Sequence, residues 1–238
     1  MRGRATIGDG RRRRGDGRCR RGASSGLVLI LVAAIALTAD PVRAEPYQID
    51  YARSELVVRV FKAGPASLLA HDHVVRAASW SGTLDVNRDP VALAADFRVD
   101  ARALQIDEPE VRARHGLDGQ LSESDRAEVR QTMLGAAQLD VESHPEIRFT
   151  AAEIDRAGNE FRLAGELTLH GKSKRISLPI SVSESAGALT ARGSVRVAQS
   201  DFGIAPYSAF LGAVRTQDEI ELVVTVVASP SGTGKEKP

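Results

Sequence analysis

The chain has 238 residues, 42% hydrophobic and only 4% aromatic, with 32 basic against 31 acidic side chains. That composition belongs to an ordinary globular domain and excludes both a disordered tail protein and a polytopic membrane protein. Length does not separate one domain from two, because an all-β barrel often uses this many residues in a single unit.

Residues 1–44 differ from the rest. Ten arginines (Arg2, Arg4, Arg11 to Arg14, Arg18, Arg20, Arg21, Arg43) and three acids (Asp9, Asp16, Asp40) surround one apolar run, Gly26 to Ala39. Those fourteen residues fall short of the roughly 20 that a membrane-spanning helix needs. The run is followed by Val42-Arg43-Ala44, a small-x-small site of the signal-peptidase kind. Residues 1–44 therefore read as a secretory signal, with an uncleaved N-terminal anchor as the other reading, and the long basic leader leaves room for a later translation start. The leader carries +7 of a whole-chain charge of +1, so the remaining 194 residues carry −6. An acidic exported domain lacks the basic surface that neutralises a row of phosphates, and nucleic acid is not an expected partner. The one cysteine, Cys19, also lies in the leader, which leaves the domain without disulfide or thiol chemistry. Its stability must come from its core, and a chain of this size buries about 70% of its unfolded surface.

From Tyr47 onward the apolar residues recur with period two, the pattern of strands with two unlike faces. Leu56, Val58 and Val60 alternate with Val57, Arg59 and Phe61; Trp80, Gly82, Leu84 and Val86 alternate with Ser81, Thr83, Asp85 and Asn87. Val91, Leu93, Ala95, Phe97 and Val99 share a face. Residues 107–121, rich in charge and glycine, read as a loop. The next segment, Glu123 to Gln138, breaks the alternation: Ala127, Met133, Leu134 and Ala137 stand at helical spacings, with Ser122 or Ser124 available as N-cap. Strands resume with Ile147, Phe149 and Ala151. Phe161, Leu163, Gly165, Leu167 and Leu169 follow, then Ile176, Leu178, Ile180 and Val182. The last two runs are Leu189, Ala191, Gly193, Val195 and Val197, and Ile220, Leu222, Val224 and Val226. Turn signals at Ser81-Gly82, Asn87 to Pro90, Asp155 to Asn159 and Ser185 to Gly187 are spaced for hairpins between sequential antiparallel strands. Residues 230–238, "PSGTGKEKP", read as a frayed tail, leaving 45–229 as one domain.

About eight strands with one apolar face and no helical layer to cover it must bury that face on themselves, as a barrel or a sandwich. The expected architecture is all-β, an eight-stranded antiparallel barrel with one short helix, and closure also removes exposed edges. Such a barrel is either filled by its side chains or holds one elongated ligand. The many Ala, Val and Gly on the apolar faces favour a cavity.

The densest polar constellation is Ala70-His71-Asp72-His73. In a strand, His71 and His73 would point the same way. They could then supply two ligands to zinc or copper, or a base, with His115, His144 or His170 completing a set. The competing reading is a strand-end cluster bonded to backbone and solvent. Asp201-Phe202-Gly203 copies three letters of a kinase signature without its glycine-rich loop, strand lysine or catalytic aspartate, so it reads as a turn. No Gly-x-Ser-x-Gly elbow, His-Glu-x-x-His helix or phosphate-cradling Gly-Lys-Ser loop occurs. The carboxylates at Asp107, Glu108, Glu110, Glu219 and Glu221 give no glycosidase spacing. Nothing in these residues compels an enzyme or a cofactor.

Taken in order, "YQIDYARSELVVRV", "SGTLDV", "HPEIRF", "GELTLHGKSKRISLPI" and "SDFGI" resemble the YceI family over roughly residues 46–228. Pro145, Ile147 and Phe149 match its mid-chain strand, and Asp201, Phe202 and Gly203 its late turn. Before Pro145 the chain has Ala137-Gln138-Leu139-Asp140 where the family often has an aromatic pair. The resemblance implies a periplasmic, lipocalin-like barrel that holds a polyisoprenoid or similar long amphiphile without catalysis. Lumen candidates are then Phe61 if its face is inward, Trp80, Leu84, Phe97, Phe149, Leu167, Phe202 and Phe210, each of which could equally be plain core. A headgroup at the mouth could meet His71, His73, Lys172 or Lys174. Membrane contact is expected only for ligand exchange. The alternative is a metal-dependent protein or enzyme using the His71/His73 pair, and a structural adaptor binding a protein through an exposed edge is a third reading with no motif of its own.

Overall fold

The computed structural model describes residues 45–88, 91–117, 119–157 and 160–231. The signal expected at 1–44 lies outside the described residues, as does nearly all of the expected tail. Twelve strand segments are present: β1 (Glu45–Ile49), β2 (Glu55–Ala63), β3 (His73–Ala77), β4 (Trp80–Arg88), β5 (Val91–Asp100), β6 (Leu104–Ile106), β7 (Glu146–Ala157), β8 (Glu160–Leu169), β9 (Lys172–Ser185), β10 (Ala188–Ala198), β11 (Ser208–Ala209) and β12 (Val214–Pro230). They make eight barrel strands, because three strands are interrupted and the two-residue β11 lies beside β12 outside the ring.

The first strand is β1 plus β2, broken at Asp50 to Ser54, and both halves pair with the 17-residue β12. The second is β3 plus β4, broken at Ala78 and Ser79; β3 pairs with β2 while β4 pairs with β1. The third is β5 plus β6, broken by a single tight turn at Ala101–Ala103. From β4 through β5, β7, β8, β9 and β10 to β12 each neighbour is antiparallel, and the β1–β12 pairing closes the ring. Asp50 explains the first break. Its carboxylate accepts from the backbone N–H groups of Ala52 and Arg53, a turn that competes with the ladder. Asp100 does the same for Arg102 at the third.

The period-two faces of the sequence are the inner wall. One switch of parity interrupts them: a bulge between Ala151 and Glu153 on β7 brings Ile154 inward after Ile147, Phe149 and Ala151. Two glycines on the wall seat aromatic rings. A Cβ on Gly82 would lie 2.3 Å from Cδ1 of Phe97, and one on Gly165 would lie 2.7 Å from the Phe149 ring. Each ring therefore lies flat against the wall in space a side chain would otherwise fill, which keeps it out of the centre of the lumen.

The two ends of the barrel differ. At the end holding the β8–β9 turn, α2 (Glu123–Leu134) and the segment after it form a floor: Val129, Met133, Leu134 and Leu139 pack with buried Val141, Leu104 and Ile106. Phe202 and Ile204, both buried, complete the floor against Leu167, Leu169, Val197 and Ile220. Ser122 is the N-cap of α2, its hydroxyl accepting from the Asp125 N–H at 3.1 Å. The helix ends at Gly135, earlier than the spacing predicts, and Ala127 points outward while Val129 makes the contact. Residues 107–121 are not all loop, since α1 (Pro109–Arg114) starts there on a proline in its first turn. At six residues it leaves α2 as the one helix longer than two turns among the described residues.

Candidate functional site

The barrel encloses a cavity of about 400 Å³, within the range of a pocket for one small-molecule ligand. Its wall is built from the inward residues of every barrel strand, among them Leu56, Leu84, Phe97, Phe149, Leu178 and Val224. Asn87 and Glu184 are its polar side chains, near the ends of β4 and β9. Val182 lines the cavity and is 38% exposed, so the lumen opens at the end with the β4–β5 and β9–β10 turns and closes on the floor of Phe202 and Val141. An apolar, one-ended well can take an apolar chain by the hydrophobic effect and has few groups with which to do anything else.

Of the residues singled out from sequence, Leu84, Phe97, Phe149 and Leu167 line this cavity. Trp80 sits just behind it, edge-on to Phe97 at 5.9 Å and to Tyr51 at 4.8 Å. Phe202, 1% exposed, belongs to the floor. Phe61 is on the outer face: its parity is that of Val57 and Arg59, and its ring lies beneath the guanidinium groups of Arg59 and Arg196, 5.3 and 5.7 Å from the centroid. Phe210 is 82% exposed in a turn at positive φ and does not line the cavity. Lumen residues that the candidate set left out, such as Ile154 and Phe161, belong to the same alternation once the β7 bulge is counted.

The cationic candidates stand at the floor end, not at the mouth, because His71 and His73 follow the β2 end and Lys172 and Lys174 begin β9. His71 precedes β3 and is exposed, so strand geometry does not align it with His73. His73 Nδ1 lies 2.6 Å from Oδ2 of Asp107, which also accepts from the Val74 N–H at 3.0 Å and from Arg112 Nη1 at 2.7 Å. Asp107 and Arg112 are 1% and 3% exposed. Burial alone would raise the Asp107 carboxyl; the bonds from His73, the Val74 N–H and Arg112 outweigh it and hold the group below the usual carboxylate range. Arg112 also donates to the Asp72 carbonyl at 2.8 Å, so this buried cluster clips α1 and the His-Asp-His segment to the outside of the barrel.

An all-β, eight-stranded antiparallel barrel around an apolar, one-ended cavity defines a barrel binding protein. The YceI-like domain model matches residues 47–228, and the chain belongs to that family. Burkholderia cenocepacia BcnA shares the fold with a TM-score of 0.58 at 16% identity, over 76% of this chain and 100% of its own. The Campylobacter jejuni YceI protein does so with a TM-score of 0.50 at 15% identity, over 66% of this chain and 85% of its own. No curated protein matches the sequence.

Proposed function

We propose that this protein is a periplasmic, non-catalytic carrier or scavenger that holds the tail of a polyisoprenoid or similar long amphiphile in the barrel lumen, exchanging it at a membrane. The observation that carries this reading is the apolar well of about 400 Å³ closed at the floor and open between the β4–β5 and β9–β10 turns. Family membership and the leader-like residues 1–44 support it. Each five-carbon unit moved from water into such a well gains about 4 kcal/mol before ordering costs, at roughly 0.8 kcal/mol per carbon. A tail of a few units therefore binds tightly without polar contacts. The headgroup stays at the mouth, beside Asn87 and Glu184.

Trp80 is the single tryptophan and touches the cavity wall through Phe97, which makes it a built-in reporter. Titration of the delipidated protein with a prenylquinone should change Trp80 emission saturably at one equivalent. Emission that does not change, together with no uptake of the quinone in a co-elution assay, would refute the reading.

A further inference from the structure

Outside the lumen, on the far side of the floor, three side chains from two separate segments meet: Asp140 and His144 from the connection between α2 and β7, and His170 from the β8–β9 turn. Their ligand atoms all lie within 4.8 Å of one another. We propose that Asp140, His144 and His170 form a binding site for a divalent transition-metal ion, of which Zn²⁺ is the representative.

The local backbone explains the convergence. The N–H groups of Ser143 and His144 both donate to the Asp140 carbonyl, at 3.1 and 2.8 Å, with Asp140 itself at a φ of +44°, so residues 140–144 close into a tight turn that brings His144 back beside Asp140. The carboxylate and the His144 ring meet on one side of this turn. His170 and Gly171 are the two residues of the β8–β9 turn, at φ of +50° and +69°, the conformation of a tight hairpin with both central residues left-handed. Gly171 is needed for a second reason. A Cβ there would lie 2.8 Å from Cε1 and 2.9 Å from Nδ1 of His144, so a side chain would displace the imidazole from the cluster.

The ring orientations suit a metal. His170 Nδ1 is 3.3 Å from the Phe202 carbonyl, which can only accept; Nδ1 therefore carries the proton and Nε2 is left with its lone pair. A carbonyl behind one imidazole nitrogen is the usual support for a metal bound at the other. The His144 and His170 rings stand edge to face, with centroids 4.5 Å apart. Among the described residues the Asp140 carboxylate accepts no hydrogen bond and forms no ion pair, which leaves its oxygens available to an ion. Two imidazoles and one carboxylate are a donor set suited to Zn²⁺, with bonds of about 2.0–2.2 Å and a fourth position left for water. The donors would close on the ion by rotation of side chains that are only partly buried.

The location gives the ion a consequence. It would join the α2–β7 connection, which supplies Leu139 and Val141 to the floor, to the hairpin that carries Leu169 and to the Phe202 carbonyl. Metal occupancy would therefore tighten the closed end of the lumen without entering it. This inference does not depend on what the lumen holds.

The test is metal binding by the full chain, stripped with a chelator and titrated with Zn²⁺ in competition with a chromophoric chelator. The site predicts one Zn²⁺ per chain, a higher Tm with metal, and visible d–d absorption on Co²⁺ substitution. The His144→Gln/His170→Gln variant should weaken binding by more than the roughly 10–100-fold typical of losing a group behind the ligands. The His71→Gln/His73→Gln variant should bind as the parent does. Circular dichroism and Trp80 emission establish that each variant is folded. Where a variant does not fold, the imidazole NMR signals of the parent replace it, and Zn²⁺ must shift those of His144 and His170. No stoichiometric uptake by the parent, uptake retained by His144→Gln/His170→Gln, or unshifted imidazole signals would overturn the assignment.

Discussion

Ala191 lies on β10 three residues in from the β9–β10 turn, paired with Val182 on one side and Val226 on the other, and its methyl group faces the lumen. Ala191→Phe places a six-carbon ring in the upper half of a cavity of about 400 Å³. The ring occupies the space of about one five-carbon unit of ligand, so a bound tail forfeits about 4 kcal/mol of apolar burial, or several hundredfold in Kd. The empty barrel has room for the ring, and its Tm should stay level or rise. If β10 instead faced a filled core, the same substitution would overpack it and cost about 1–3 kcal/mol of stability. Arg192→Phe, the neighbouring position on the outer face, should leave Kd unchanged. The assay is prenylquinone titration by Trp80 emission, alongside thermal unfolding of the unliganded forms. A Kd within twofold of the parent, or a drop in Tm of the overpacking size, would refute the reasoning.

Further outcomes follow from other parts of the wall. Gly82→Ala sets a methyl 2.3 Å from Phe97 Cδ1, so the ring must leave its seat; chemical denaturation should show a loss of about 1–3 kcal/mol, largely relieved when Phe97→Ala is added. Asp107→Asn strips the charge that faces buried Arg112 and should cost about 3–5 kcal/mol near neutral pH. Because the folded-state pKa of Asp107 is held below its unfolded value of about 3.9, the stabilisation is complete above that value and is lost as pH falls through the folded one. The gap between parent and variant in urea unfolding should accordingly narrow toward pH 3, and a gap independent of pH would contradict this. Phe61→Ala, on the outer face under Arg59 and Arg196, should leave prenylquinone affinity intact, whereas Phe149→Ala should change it.

The faces of the strands were legible because each barrel strand is apolar on one side only, so parity alone assigns Leu84, Phe97, Phe149 and Leu167 to the inside; Phe61, offered as a lumen candidate for its size, shares the parity of Arg59 and lies outside. What breaks the strands was not legible in the same way. Asp50 and Asp100 interrupt the ladder through local side-chain to backbone bonds, which pattern reading passes over, and the bulge on β7 shifts Ile154 by one residue without any glycine to mark it. Composition hid α1, since a charged six-residue helix on Pro109 has no apolar stripe to announce it. The polar constellations were less legible. His71 and His73 stand two apart in sequence with only His73 inside β3, bonded to Asp107, while Asp140, His144 and His170 are spread over two segments that only the β8–β9 hairpin and the floor bring together. Their convergence is a property of topology, and no spacing encodes it.

The central claim is that the lumen is occupied by an elongated apolar molecule. Native mass spectrometry of protein purified from its own host without delipidation, followed by organic extraction and identification of the released species, tests it most directly. One prenyl-chain lipid per barrel, with lower occupancy in the Ala191→Phe variant prepared in the same way, is the predicted result. A well-folded parent that carries no extractable lipid and takes none up on incubation would contradict the account.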